Sequence, residues 1–160
     1  MKKTMKFYGL FMTLAVLALA CKDDMSNEPF KNGSATINGT AYVNLDITND
    51  TIGTVYEYVP QGTRIYARIN SEDLVEFPSA GVNYGDIIYD TVIGNSGNFT
   101  FSVAANVKNV TVTLSSDDFQ ANQVQADTSV ETKVFYLPEI YTVTVNAGVT
   151  RIIEVDFFER

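Results

Sequence analysis

Thr36-Ile37-Asn38-Gly39-Thr40-Ala41-Tyr42-Val43-Asn44-Leu45-Asp46-Ile47 alternates an apolar or small residue with a polar or wet-tipped one over its whole length. Successive side chains of a strand point to opposite faces, so this rhythm describes a strand with one face buried and the other in water. The pattern recurs along the chain. Ile65, Ala67 and Ile69 alternate with Arg64, Tyr66 and Arg68; Phe99, Phe101 and Val103 follow, then Val110, Val112 and Leu114. Tyr141, Val143 and Val145, the stretch from Ile152 through Val155 to Phe158, the pair Val134 and Tyr136, and Ile87 to Ile93 complete the set. No segment carries a sustained helical stripe. Turn formers separate the runs: Pro60-Gln61-Gly62, Pro78 to Gly81, Gly94 to Asn98, and Asn146-Ala147-Gly148. The expectation is an all-β domain over residues 34–160, an antiparallel β-sandwich of seven to eight strands.

Ahead of this domain the composition changes. Lys2, Lys3 and Lys6 form a basic head, Phe7 to Ala20 a nearly all-apolar run of 14 residues, and Ala18-Leu19-Ala20-Cys21 a small-residue boundary ending in the only cysteine. Fourteen residues suit a signal-peptide core and fall short of the roughly 20 needed to span a bilayer. Residues 1–20 therefore read as a removable signal peptide. The boundary resembles the lipobox of bacterial lipoproteins, with Ala18 standing where that motif has leucine. The resemblance implies that Cys21 becomes the acylated amino terminus, and several acyl chains anchor a protein that one chain would hold only marginally. Lys22-Asp23-Asp24 directly behind it resembles the lipoprotein export signal of Bacteroidetes. That implies an outer-membrane, lipid-anchored, cell-surface location, with residues 21–33 as an acidic flexible tether.

Charge narrows the partners. The chain has 11 Lys+Arg against 19 Asp+Glu, and loss of the three signal-peptide lysines leaves 8 against 19, a net charge near −11. No basic face survives that balance, which argues against nucleic acid and against attraction to anionic lipid. The expected partners are the outer-membrane lipid held through Cys21 and a glycan or protein ligand. Without a cysteine in the domain, no internal disulfide forms, and apolar burial must stabilise it.

The order of the strands and turns is similar to the carboxypeptidase-regulatory-like domain. Thr36 to Ala41 opens the domain, Val59-Pro60-Gln61-Gly62-Thr63-Arg64-Ile65 leads the second strand, and Gly97-Asn98-Phe99-Thr100-Phe101 follows a turn. Thr111 to Asp118 and the closing Thr144 to Gly148 and Asp156-Phe157 complete the likeness. The resemblance implies a transthyretin-like sandwich common in surface proteins of Bacteroidetes, and it says little about activity.

For catalysis the inventory is thin. The chain lacks histidine and tryptophan and has no second cysteine, so Ser/His/Asp and Cys/His nucleophilic arrangements, thiolate or imidazole zinc sites and haem ligation are excluded by composition. No phosphate-binding glycine motif occurs. The expectation is no enzyme, no cofactor and no metal. Asn44, Asp46, Thr48 and Asp50 place oxygens at every second position, but a hard cation wants six to eight ligands, and the alternation alone accounts for these residues as an outward strand face. Two stretches exceed what a compact sandwich needs, Asn49 to Tyr58 and Ser71 to Asp86, and ligand contact is expected there. Tyr56, Tyr58 and Tyr84 lie in them and could stack on sugar rings, although tyrosine is also a favoured strand residue. Asp50-Thr51-Ile52 and Asp90-Thr91-Val92 resemble the O-glycosylation sequon of exported Bacteroidetes proteins, which implies sugar on Thr51 and Thr91. The functional expectation is a cell-surface lipoprotein with a non-catalytic binding or structural accessory module. A glycan-binding component of a polysaccharide-uptake system and a small pilus or adhesion subunit are the alternatives.

Overall fold

The computed structural model describes residues 33–160, so Cys21, the Lys22-Asp23-Asp24 signal and everything else before Gly33 lie outside the described residues. From Gly33 onward the fold is all-β. Its ten strands are β1 (Gly33–Val43), β2 (Glu57–Tyr58), β3 (Arg64–Asn70), β4 (Asp86–Val92), β5 (Asn98–Ala105), β6 (Val110–Ser116), β7 (Phe119–Val124), β8 (Val130–Tyr136), β9 (Thr142–Val145) and β10 (Thr150–Glu159). They form two sheets, one of six strands and one of four in the order β4-β3-β6-β9.

The larger sheet is organised by β1. Along one edge it pairs antiparallel with β5, from Gly33 opposite Ala105 to Thr40 opposite Asn98, and then with the short β2 through Tyr42 opposite Tyr58. Along the other edge it runs parallel to β10, from Thr36 opposite Thr150 to Val43 opposite Phe157. Beyond β10 the β7–β8 hairpin extends the sheet.

Three features differ from the sequence reading. The β1–β10 pair is parallel, whereas the sequence pattern leads to an antiparallel sandwich throughout; alternation of apolar and polar residues is the same for either direction, so it carries no sign of strand polarity. There are ten strands rather than seven to eight. The additions are the two-residue β2 and β7, whose inward row of Phe119, Ala121 and Gln123 breaks the apolar rhythm at a buried glutamine. Gln123 is satisfied there, its Nε2 donating to Asn44 O at 2.8 Å and its Oε1 accepting from Gln125 Nε2 at 2.9 Å. The opening strand also ends at Val43 rather than continuing to Ile47. Asp46 accepts from Thr48 N at 3.0 Å and caps a 3-10 turn over Ile47–Asn49, and such an Asx cap competes with sheet pairing.

The core fills the space between the sheets. Ile37, Ala41 and Val43 from β1, Ile65, Ala67 and Ile69 from β3, Phe101 and Val103 from β5, and Val110, Val112 and Leu114 from β6 are all buried. At one end Phe119 stacks on Phe135 with centroids 5.5 Å apart and meets Phe157 at 5.6 Å, which ties the β7–β8 hairpin to β10. Asn98, Thr100 and Ser102 are exposed while Phe99 and Phe101 are buried, as the alternation predicts for a strand after the Gly97-Asn98 turn.

Candidate functional surfaces

The first long loop is held shut by its own acids. Asp50 Oδ2 accepts from Asn44 Nδ2 at 2.7 Å, Asp50 Oδ1 accepts from Val55 N at 2.7 Å, and Glu57 Oε2 accepts from Leu45 N at 2.7 Å. The Asp50 and Glu57 carboxylates thus close the loop and Asp46 caps its 3-10 turn, while Asn44 Oδ1 is buried without a hydrogen-bond partner among the described residues. Among the described residues no group of three or more His, Cys, Asp or Glu side chains is placed to hold a metal ion. Just past β6, Asp117 accepts from the Tyr66 hydroxyl at 3.0 Å, and Asp118 pairs with Arg160 at 3.1 Å.

This latched loop delivers Tyr58 to β2, directly opposite Tyr42. The two rings lie with centroids 5.6 Å apart and planes 28° from parallel, and about half of Tyr58 is exposed. Tyr58 packs over the chain at Gly97, where a β-carbon would fall 2.8 Å from its Cδ1 and 2.6 Å from Ala41 O; with φ at +69° the position suits only glycine. Partial desolvation raises the Tyr42 hydroxyl above the ordinary tyrosine range, helped by the negative charge of Glu154 and by Tyr58 and Asp156. The result is a paired aromatic patch bordered by carboxylates on the outer face of the larger sheet. Tyr56 is similarly exposed. Tyr84 plays a different part, since it is half-buried and its hydroxyl accepts from Ser79 N at 2.9 Å, fastening the second long loop to itself. Among the described residues no aromatic contact joins Tyr84 to Tyr56 or Tyr58.

The two threonines of the Asp-Thr-apolar pattern occupy unlike places. Thr51 is exposed in a turn beside the fully exposed Ile52. Thr91 is half-buried within β4, opposite Ile65, and its neighbour Asp90 is paired with Arg64 at 2.8 Å.

A second surface has no counterpart in the sequence pattern. On the outer face of the four-stranded sheet, an open depression of about 360 Å³ is lined by Arg68, Asn70, Asp73, Asp86, Thr111 and Thr113. Outward polar residues of a half-buried sheet read as ordinary solvated positions. Only the pairing of β3 with both β4 and β6 brings these together.

No helix of the described residues is long and apolar enough to cross a membrane. No protein-family model and no curated protein matches the sequence. Among solved structures, the major plantain pollen allergen Pla l 1 is similar at 14% identity, over 80% of this chain and 95% of that one, with a TM-score of 0.41.

Proposed function

We propose that this chain is a lipid-anchored, surface-exposed outer-membrane protein whose β-sandwich works without catalysis, as a binding or structural accessory module of the carboxypeptidase-regulatory-like, transthyretin-like kind. The observation that carries the reading is the boundary Ala18-Leu19-Ala20-Cys21 followed at once by Lys22-Asp23-Asp24. The described domain begins at Gly33. The tether read over residues 21–33 would reach at most roughly 45 Å if fully extended, enough to hold the sandwich near a membrane surface without burying it. The test is protease shaving of intact cells. Alanine at Lys22, Asp23 and Asp24 is expected to leave the protein acylated but protected from added protease, and unchanged accessibility of that triple variant overturns the export role.

Glycan capture is the second reading, and the Tyr42–Tyr58 pair favours it. Two neighbouring rings on an open sheet face, with Glu154 and Asp156 beside them, offer stacking area and hydrogen-bond acceptors to a sugar. The pilus alternative calls for a displaceable terminal strand at Arg151 to Phe158. That segment belongs to β10, which is flanked by β1 and β8 and keeps an eight-residue register with β1, so its exchange would break the middle of the sheet.

A further inference from the structure

Arg68 stands at the centre of the outer face of the four-stranded sheet, between Ile88 of β4 and Thr113 of β6. Its guanidinium lies 3.8 Å from Asp86 Oδ2 and 3.6 Å from Glu139 Oε2. Both separations are longer than a direct hydrogen bond, so charge attraction orients the planar fork while its N–H groups keep donor capacity. Around it opens the depression of about 360 Å³, within the roughly 300 to 1,000 Å³ range of small-ligand sites. Part of the lining is structural: Asp73 Oδ2 accepts from Thr111 N at 3.0 Å, and Asn70 Oδ1 accepts from Glu72 N at 2.9 Å. Arg68, Asp86 and the Thr113 hydroxyl remain for a visitor.

A group that fits between a guanidinium and a carboxylate must accept from one and donate to the other. A hydroxyl does both. An anionic ligand would meet Asp73, Asp86 and Glu139 on a chain of net charge −8, and a cation would meet Arg68. Ile88, strongly exposed beside Arg68, and Tyr66, two residues back on the same face of β3, border the site with apolar surface suited to the C–H face of a sugar ring.

We propose that this depression binds a neutral polyhydroxylated ligand, a short segment of a neutral glycan, with Arg68 donating to one hydroxyl, Asp86 accepting from its neighbour and Thr113 doing either. The proposal rests on the glycan reading but not on the Tyr42–Tyr58 pair, which belongs to the other sheet.

The test is calorimetric titration of the full chain, in a detergent without a sugar headgroup, with maltohexaose, cellohexaose, mannohexaose and trigalacturonate. At least one neutral hexasaccharide is expected to bind, with Arg68→Gln and Thr113→Val each weakening it about tenfold at unchanged melting temperature. Thr113→Val keeps the test decisive should Arg68→Gln fold poorly. Loss in Tyr58→Ala with both other variants silent overturns this site and spares the glycan reading. Tighter binding of trigalacturonate overturns the neutral class, and absence of binding by all four overturns both the site and the glycan reading.

Discussion

The ring of Phe99 lies across the backbone of Gly39, its direct partner on the neighbouring strand: a β-carbon at Gly39 would fall 2.0 Å from Phe99 Cζ and 2.4 Å from both Cε atoms. The glycine thus provides the space that one of the core's large side chains occupies, an aromatic covering a glycine across a strand pair. Gly39→Ala is expected to displace the ring and destabilise the domain by about 1 to 3 kcal/mol. Phe99→Leu in the same chain should recover part of that loss. Chemical denaturation of the two single variants and the double variant measures it, and additive losses would show that the two positions are not in contact.

Register within β5 is tested two residues further on. Phe101 is buried and meets Phe99 edge-on with centroids 5.9 Å apart, whereas Thr100 is exposed and its hydroxyl bonds only Asn38 Oδ1 at 3.0 Å. Phe101→Ala is expected to cost about 3 to 5 kcal/mol, and Thr100→Ala about 0.5 kcal/mol or less. Equal losses in urea unfolding would mean that the strand is turned over.

How much of this is legible in the sequence depends on what the pattern encodes. The alternation at Ile65, Ala67 and Ile69 or at Phe99 and Phe101 states which residues face the core, because one-sided burial leaves a period of two. It does not state which strand lies beside which, nor in what direction. That is why the pattern gives no sign of the parallel β1–β10 pair, and why Tyr42 reads as an outward strand residue rather than as the partner of Tyr58. Gln123 hides β7 because its burial is stabilised by a hydrogen bond to Asn44 O, a contact distant in sequence. The Arg68 depression is invisible for a related reason: each lining residue is ordinary alone, and only the β4-β3-β6 order assembles them.

Stability should decline on the alkaline side. Desolvation raises the Tyr42, Tyr66 and Tyr141 hydroxyls above the usual value of about 10, with the hydrogen bond to Asp117 adding to the rise at Tyr66. Hydrogen bonds to Glu131 and Glu159 raise the Lys133 ammonium. For each group the folded state holds its proton more tightly than the unfolded state. The stabilisation is therefore complete below the unfolded pKa and is lost as pH rises through the folded one. Denaturation midpoints measured from pH 8 to about 11.5 should be level at first and fall from roughly pH 10, with a shallower fall in Tyr66→Phe. A level profile throughout would contradict the assignment. Asp127, held low by Ser129, acts in the opposite sense and loses its contribution only as pH falls below about 4.

The aromatic surface makes a separable prediction. If the exposed rings stack on sugar, Tyr58→Ala should weaken binding of a responsive glycan by about 1 kcal/mol or more, roughly fivefold, as read by affinity electrophoresis. Tyr56→Ala should have a smaller effect, since no stacked partner extends its surface. Tyr84→Phe should leave glycan affinity unchanged while loosening the Ser79 to Tyr84 loop to proteolysis, because the hydroxyl is that loop's fastening. Weakened affinity in Tyr84→Phe together with an unaffected Tyr58→Ala would reverse the assignment of the two residues.

The reading of the chain as an anchored surface module turns on Cys21, and the intact mass of the protein extracted from cell membranes tests it most directly. The account predicts a polypeptide beginning at Cys21 and carrying the added mass of its acyl chains, with Cys21→Ser giving no acylated species. A mature chain that begins at any other residue, or a Cys21 terminus without added acyl mass, would contradict it.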